Sequence, residues 1–207
     1  MARHRDGQDN GTSVSGNEES NRRAELVRVA GRLFRENGYE ATPVRDIAAA
    51  AGMRSGSPFY HFKSKQDLLK AVMAEGLNKA LQELTEAVAG KPSAIEAFRA
   101  IVRTHLAIIL EPGADFVPVL LYEWRSLACD GRAEIVAIKD RYEAVWQDVL
   151  RDLKREGLIR DDSPIGRLFV FGALNWVARW YCPHGSLSID AIADRAVEFF
   201  IGPPNRR

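Results

Sequence analysis

The sequence predicts an all-α protein of about nine helices. Apolar residues recur at helical spacing from Leu26 onward, and no segment alternates polar and apolar residues for long enough to form a strand. Glycine and proline residues interrupt the apolar pattern at intervals that suit helix ends. The 207 residues, 46% of them hydrophobic, suffice for one small and one larger unit. We therefore expect a disordered polar tail over residues 1–20, a three-helix unit over 21–67 and a larger helical unit over 68–207.

The three-helix unit is defined by its start and stop signals. The first helix is expected to end at Gly38. Thr42 is expected to cap a second helix that starts at Pro43 and ends before Gly52. A third short helix is expected over about Ser55–His61, with a proline in its first turn. Four apolar residues of this segment are expected in the core: Ile47, Ala48, Phe59 and Phe62.

The larger unit is divided by caps and turns. Ser64 with Asp67 and Ser93 with Glu96 resemble capping boxes at the starts of helices four and five. The remaining helices are expected over about Phe116–Ala128, Arg132–Glu156, Ser163–Tyr181 and Ile189–Ile201.

The second and third helices, joined at Gly52, have the spacing of a helix-turn-helix. Residues 21–68 carry nine Lys or Arg and five Asp or Glu, although the whole chain has a net charge of only +1. A basic segment with small hydroxyl residues suits contact with phosphates and base edges in a major groove. The alternative is that these are solvated surface residues, with Tyr60 partly packed. The candidate DNA contacts are Thr42, Arg45, Arg54, Ser55, Ser57, Tyr60, His61, Lys63 and Lys65.

The larger unit has more apolar residues than a spacer between DNA-binding heads requires, so it is a candidate ligand-binding and dimerisation domain. Each candidate is also compatible with an ordinary core position. His105 lies on an apolar stripe and requires a hydrogen-bond partner, which is satisfied in the core or supplied by a ligand. The candidate lining residues are Leu77, Leu81, Phe98, Val102, His105, Phe116, Leu120, Trp124, Tyr142, Trp146, Trp176 and Arg179.

Several classes of function have no motif in the sequence. The two cysteines, Cys129 and Cys182, are not spaced for zinc or for a disulfide framework, and no catalytic motif occurs. No apolar run reaches the length of a membrane span, and no secretory signal is present. We therefore expect a cytoplasmic protein that is not an enzyme and requires no cofactor or metal.

Residues 42–52 and 55–69 resemble the helix-turn-helix and the start of helix four in the tetracycline-repressor (TetR) family, and the resemblance extends over about 21–77. It implies that Arg45, Ser55, Ser57, Tyr60, His61 and Lys65 contact operator DNA. Two positions depart from the family pattern. Ser55 stands where a lysine or similar residue is usual, and Pro58 stands where leucine is common, which leaves the operator sequence open.

Residues 175–188 resemble a segment of TetR-family repressors that sense fatty-acyl or steroid-derived coenzyme A thioesters. The resemblance to the TetR family implies a homodimer formed through helices eight and nine, which reads a palindromic operator and releases it on binding a small hydrophobic effector. Arg179, Arg125 or Arg167 would meet the coenzyme phosphates, although Arg179 also suits an interface contact. The alternatives are a constitutive DNA-binding dimer with no effector and a sensor of drug-like or aromatic compounds.

Overall fold

The structure is a computed structural model that describes residues 12–54, 58–110, 113 and 115–201, with side chains from residue 18. Within these ranges the chain forms nine α-helices and no β-strand, which confirms the predicted class. The helices are α1 (Thr12–Asn37), α2 (Val44–Ala50), α3 (Pro58–His61), α4 (Lys65–Val88), α5 (Ala94–Leu110), α6 (Phe116–Tyr122), α7 (Cys129–Arg155), α8 (Pro164–Trp180) and α9 (Ile189–Phe200).

The first helix begins earlier than the sequence predicts. Residues 12–20 are helical, so the prediction of a disordered tail over 1–20 is wrong for this part, and residues 1–11 lie outside the described residues. Extending a helix is less costly than starting one, because each added residue also adds a hydrogen bond. Glu18 and Glu19 precede Arg22 and Arg23 by four residues, a spacing that stabilises a helix when the charges are opposite. The helix was not predicted here because the segment is polar and has no apolar periodicity.

Two apolar cores are built on opposite ends of α4. The first contains residues of α1, α2 and the N-terminal half of α4, together with Val119 of α6 and Ile135 of α7. The second contains the C-terminal half of α4 with α5, α7, α8 and α9. Leu77 belongs to the first core and Leu84 to the second. The predicted division of the chain between residues 67 and 68 does not coincide with a boundary between the cores, since the first core includes residues on both sides of it. The division stays a prediction.

The seam between α7 and α8 contains a largely buried ion pair. Arg167 Nη2 donates to Glu143 Oε2 at 2.6 Å, and Arg167 Nη1 donates to Gln147 Oε1 at 2.7 Å. Both charged side chains are only about one-sixth exposed or less, so removal of Glu143 leaves the Arg167 guanidinium desolvated and without this counter-charge. Glu143 itself has a second cationic partner, Lys139 Nζ at 2.7 Å.

Serine caps fix several helix starts, as predicted for α4 and α5. Ser64 Oγ accepts the Asp67 N–H at 3.1 Å, and Ser93 Oγ accepts the Glu96 N–H at 3.3 Å. The predicted Thr42 cap is wrong. Pro43 occupies the N-cap of α2, and the Thr42 hydroxyl donates to the Gly38 carbonyl at 2.7 Å instead. Thr42 therefore closes the turn between α1 and α2.

The predicted helix over Phe116–Ala128 is two shorter pieces. The helix α6 ends at Tyr122, and a single 3-10 turn follows over Trp124–Ser126. The interruption lies at Glu123, whose carboxylate accepts the Tyr39 N–H at 3.1 Å and the Ser126 hydroxyl at 2.9 Å. These contacts hold the chain in a turn where the apolar pattern alone would continue the helix.

The start of α6 lies directly on the backbone of α4. A Cβ atom built at Gly76 would lie 2.1 Å from Cγ and 2.5 Å from Cβ of Phe116. Because Phe116 Cβ itself is too close, rotation of the ring would not relieve the overlap. Glycine at position 76 is therefore required for this close approach of α6 to α4.

Candidate DNA-binding surface and sensor core

The head formed by α1, α2 and α3 has the geometry of a helix-turn-helix. Gly52 has a φ of +67°, which L side chains rarely adopt, and the Met53 N–H donates to the Ala48 carbonyl at 2.8 Å to close the turn. Pro58, the first residue of α3, and Phe62, which directly follows the helix, are buried. Phe59 is 55% exposed, so its predicted core position is wrong. One helical turn buries a single edge, which Pro58 and Phe62 occupy at a spacing of four residues.

Four of the predicted DNA contacts are exposed on the head: Arg45, Arg54, Tyr60 and Lys63. His61 is half-buried and lies edge-on to the Tyr60 ring, with centroids 5.2 Å apart. Cationic and hydroxyl donors with this exposure can reach phosphate oxygens without rearrangement of the core. Ser55 and Ser57 lie outside the described residues.

Lys65 and Thr42 are more constrained. Lys65 Nζ lies 4.1 Å from the centroid of the Tyr39 ring and 3.4 Å from the Glu40 carbonyl oxygen, so the ammonium is held at the surface by an aromatic face. Thr42 is only 1% exposed. Its side chain is not available to DNA in this conformation, and its DNA contact stays a prediction without support from the geometry.

A buried polar cluster lies in the second core where α5, α7 and α8 meet. His105 Nδ1 lies 2.7 Å from the Tyr142 hydroxyl, and His105 Nε2 lies 3.0 Å from Asn175 Oδ1. If Nε2 carries the proton, it donates to Asn175 while Nδ1 accepts from Tyr142, so both ring nitrogens are satisfied. The ring stacks on Phe171 at 5.6 Å and meets Trp146 edge-on at 5.4 Å. Of these partners, sequence reasoning did not identify Asn175 and Phe171.

Burial dominates the acid–base properties of this cluster. It lowers the pKa of His105 from 6.5 to about 4, and the hydrogen bond to Asn175 opposes the shift without cancelling it. Burial also raises the pKa of Tyr142 above its ordinary value. His105 is therefore neutral near neutral pH, as expected for a core histidine with both nitrogens hydrogen-bonded.

The predicted lining residues do not converge on one site. Phe98, Val102, His105, Tyr142 and Trp146 come together in the second core, where Leu81 packs at the edge. A second group, Leu77, Leu120 and Trp124, packs in the first core, and Phe116 contacts both cores. Trp176 and Arg179 are exposed and lie outside the second core, and their place in a ligand site stays a prediction. Both belong to the outward side of α8.

The outward side of α8 is a continuous apolar face. Phe169 is 73% and Trp176 is 66% exposed, and Gly172 lies between them with no atom near its missing side chain. Other large apolar side chains follow the same helical spacing, and Phe199 of α9 is also exposed. A patch of this kind marks an interaction surface. The exposed members on α8 are Ile165, Leu168, Phe169, Gly172, Ala173, Trp176 and Trp180, hereafter the α8 face.

None of the helices that the structure describes combines the length and the apolar character needed to cross a membrane.

Comparisons with known proteins match both parts of the chain. A family model described as bacterial regulatory proteins, tetR family, matches residues 26–72. A second, described as Tetracyclin repressor-like, C-terminal domain, matches residues 91–202. A curated relative, the HTH-type transcriptional repressor KstR2 of Rhodococcus jostii (strain RHA1), is 33% identical over 177 residues, which cover 84% of this chain and 86% of that protein.

Solved structures share the fold over nearly their whole length. AibR in complex with isovaleryl coenzyme A and operator DNA is 28% identical, with a TM-score of 0.80, and the match covers 88% of this chain and 99% of AibR. The superantigen PfiT is 38% identical, with a TM-score of 0.76, covering 87% and 96%. The fold and the head define a two-part helix-turn-helix regulator. The chain belongs to the TetR family of bacterial regulatory proteins, and it is a DNA-binding transcriptional regulator.

Proposed function

We propose that the chain is a homodimeric repressor that binds a palindromic operator and leaves it when a small hydrophobic effector binds the larger helical unit, residues 68–207, hereafter the body. The observation that carries this proposal is the helix-turn-helix head. It exposes four side chains that can donate hydrogen bonds, and its sequence matches the family model of bacterial regulatory proteins. A short recognition helix specifies few base pairs by itself, so two copies related by a twofold axis read two half-sites. The activity is binding rather than catalysis, and it takes place in the cytoplasm, where bacterial DNA is located.

We assign the DNA contacts to exposed residues of the head. Arg45 pairs with its neighbour Asp46 at 3.4 Å on the surface, and an exposed pair of this kind is weak enough for the guanidinium to move to a phosphate. Tyr60 and Lys63 extend from the end of α3, and Arg54 precedes it. Ser55, Ser57, His61 and Lys65 complete the proposed surface. The two serines are assigned by resemblance to the family pattern alone.

We assign the dimer interface to the α8 face, extended by Phe199 of α9. An aromatic side chain has roughly 150–250 Å² to bury, so covering the exposed part of Phe169 or Trp176 stabilises by about 3 kcal/mol. In a twofold-symmetric dimer each of these side chains is buried once in each subunit, so its contribution to the interface is doubled. Small residues at Gly172 and Ala173 leave room for a partner helix to approach between the aromatic side chains.

The proposed effector is an acyl-coenzyme A thioester. AibR, which binds isovaleryl coenzyme A, matches 88% of this chain, and KstR2 matches 84%. The apolar body supplies candidate contacts for an acyl chain in the second core, around Phe98, Val102 and Trp146. Arg179, exposed near the end of α8, is a candidate for the coenzyme phosphates.

A footprint on the intergenic DNA that flanks the gene tests the central proposal. We expect a protected palindrome whose affinity falls steeply with salt. Arg45→Ala should weaken binding and reduce the salt slope by about two per dimer, one for each lost phosphate contact. Arg151→Ala, an exposed arginine of α7, is the matched control and should leave both unchanged. Absence of protection at low salt would contradict the proposal.

A panel of acyl-coenzyme A thioesters, free acids and aromatic drugs added to the same footprint tests the effector class. Clearance by the thioesters alone supports the assignment. Clearance by aromatic drugs identifies a different effector class, and protection that no compound clears indicates a constitutive DNA-binding dimer.

Analytical ultracentrifugation tests the interface separately. Phe169→Glu places a charge on the α8 face and should give monomers at micromolar concentration. Tyr122→Glu, on an equally exposed aromatic residue of α6, should remain dimeric. A dimeric Phe169→Glu variant would exclude this face as the interface.

A further inference from the structure

The turn between α1 and α2 is hydrogen-bonded to the body through one carboxylate. Glu123 Oε1 accepts the Tyr39 backbone N–H at 3.1 Å, and Glu123 Oε2 accepts the Ser126 hydroxyl at 2.9 Å. Position 39 lies in the head, whereas 123 and 126 lie between α6 and α7. An ionised acceptor makes a stronger bond to a backbone N–H than a neutral one does. This carboxylate therefore links two segments that are 84 residues apart.

A second side chain joins the same segments. Gln66, in the first turn of α4, donates from Nε2 to the Tyr39 hydroxyl at 2.9 Å and to the Ser126 carbonyl at 2.7 Å. Its Oε1 accepts the Ala128 N–H at 2.9 Å. Both amide hydrogens and the amide oxygen are thus used, which leaves the Gln66 side chain little freedom.

Tyr39 is the residue on which these contacts meet. Its backbone N–H bonds Glu123, its hydroxyl bonds Gln66, and its ring carries the Lys65 ammonium at 4.1 Å. Lys65 is one of the proposed phosphate contacts. The α6–α7 segment is therefore connected through one buried tyrosine to a cation on the proposed DNA-binding surface.

The helix α6 is tied to the head at its other end as well. Arg35 of α1 pairs with Asp115, the residue before α6, at 3.1 Å. With Glu123 at the C-terminal end, α6 is connected to the head at both of its termini, and Phe116 fixes its distance from α4. The segment has little freedom to move without moving the head.

We propose that Glu123 and Gln66 are positioning residues that set the orientation of the head through Tyr39, and thereby set operator affinity. Neither residue touches DNA in this assignment. The inference rests on the proposed DNA-binding function for its affinity readout, but not for its structural one. With the contacts intact, the head already has the orientation that the operator requires. Without them, part of the binding free energy is used to order the head, and the operator affinity falls.

Hydrogen exchange on the full-length dimer tests the structural part without DNA. Glu123→Ala should increase exchange of the Tyr39 amide by on the order of tenfold, since a charge-assisted bond is lost. Glu123→Gln keeps an acceptor oxygen and should restore most of the protection. Glu134→Ala removes a different link to α4, the pair with Lys70, and is the matched control. Unchanged Tyr39 exchange in Glu123→Ala would overturn the proposal.

Operator affinity tests the functional part, with thermal unfolding measured on the same samples to establish that the variants fold. Glu123→Ala and Gln66→Ala should each weaken operator binding by about five- to tenfold, and Glu123→Gln and Glu134→Ala should stay within twofold of the unsubstituted protein. An unchanged or increased affinity in Glu123→Ala would overturn the assigned role. If the unsubstituted protein does not bind the operator, the proposed function fails, and the exchange experiment still decides whether the link exists.

Discussion

Acidification should destabilise the fold through His105 by an amount that follows from its burial. The folded state holds this imidazole neutral with a pKa of about 4, whereas the unfolded chain has the ordinary value of 6.5. Between these pH values only the unfolded chain binds a proton, so stability falls as pH falls through this window. At about 1.36 kcal/mol for each pKa unit, the loss approaches about 3 kcal/mol by pH 4. Above pH 6.5 the group contributes no pH dependence.

The measurement is urea unfolding at fixed protein concentration from pH 7.5 to 4, followed by tryptophan fluorescence, for the natural chain and for His105→Gln. A glutamine keeps hydrogen-bonding groups in the cluster but does not titrate. Because all other groups titrate alike in the two proteins, the difference in their free energies of unfolding isolates His105. That difference should shift by about 3 kcal/mol across the window in favour of the variant. Curves that stay parallel down to pH 4 would refute the reasoning, because folded His105 would then accept the proton freely.

Three further predictions concern a close helix contact, a helix cap and the buried ion pair. Gly76→Ala should lower the free energy of unfolding by about 1–3 kcal/mol, because the added methyl overlaps α6. Gly31→Ala, whose Cβ would meet its nearest neighbour at an ordinary 3.4 Å, should be neutral or stabilising, and equal losses in the two would argue against the overlap. Ser163→Ala removes the cap of α8 and should cost about 1 kcal/mol in urea unfolding, and no loss would show that the cap is dispensable. Glu143→Ala should cost about 3 kcal/mol by leaving Arg167 unpaired, and adding Arg167→Met should recover much of it; a double variant no more stable than the single one would contradict this.

The sequence was most informative where structure depends on neighbouring residues. Ser64, Ser93 and Ser163 cap helices through bonds that span three residues, and the pattern on each side reveals them. The break at Glu123 depends on a contact with Tyr39, 84 residues away, which no local pattern contains. Phe59 was misassigned because a helix of one turn is too short for periodicity to define its buried side.

The predicted lining residues show a different limit. Apolar periodicity identifies the buried face of a helix but not which helices it meets, so one predicted lining set is divided between two cores. Trp176 is among the predicted lining residues although its side chain is exposed, because an exposed apolar face has the same composition as a buried one. His105 was identified as requiring a partner, whereas its partners Tyr142 and Asn175 come from helices 37 and 70 residues further along the chain.

The contribution of α4 to both cores determines where a hybrid regulator can be joined. A chimaera that grafts this head onto a foreign sensor at residue 67 would separate Leu68, Leu69 and Val72 from the helices they pack against. The head would then pack against the side chains of the foreign α4 instead of its own. A junction after Leu77 would transfer all the residues that α4 contributes to the first core together with the head. The recipient would still have to supply side chains that match Val119 and Ile135. Biosensors built from this chain should therefore exchange the head together with half of α4.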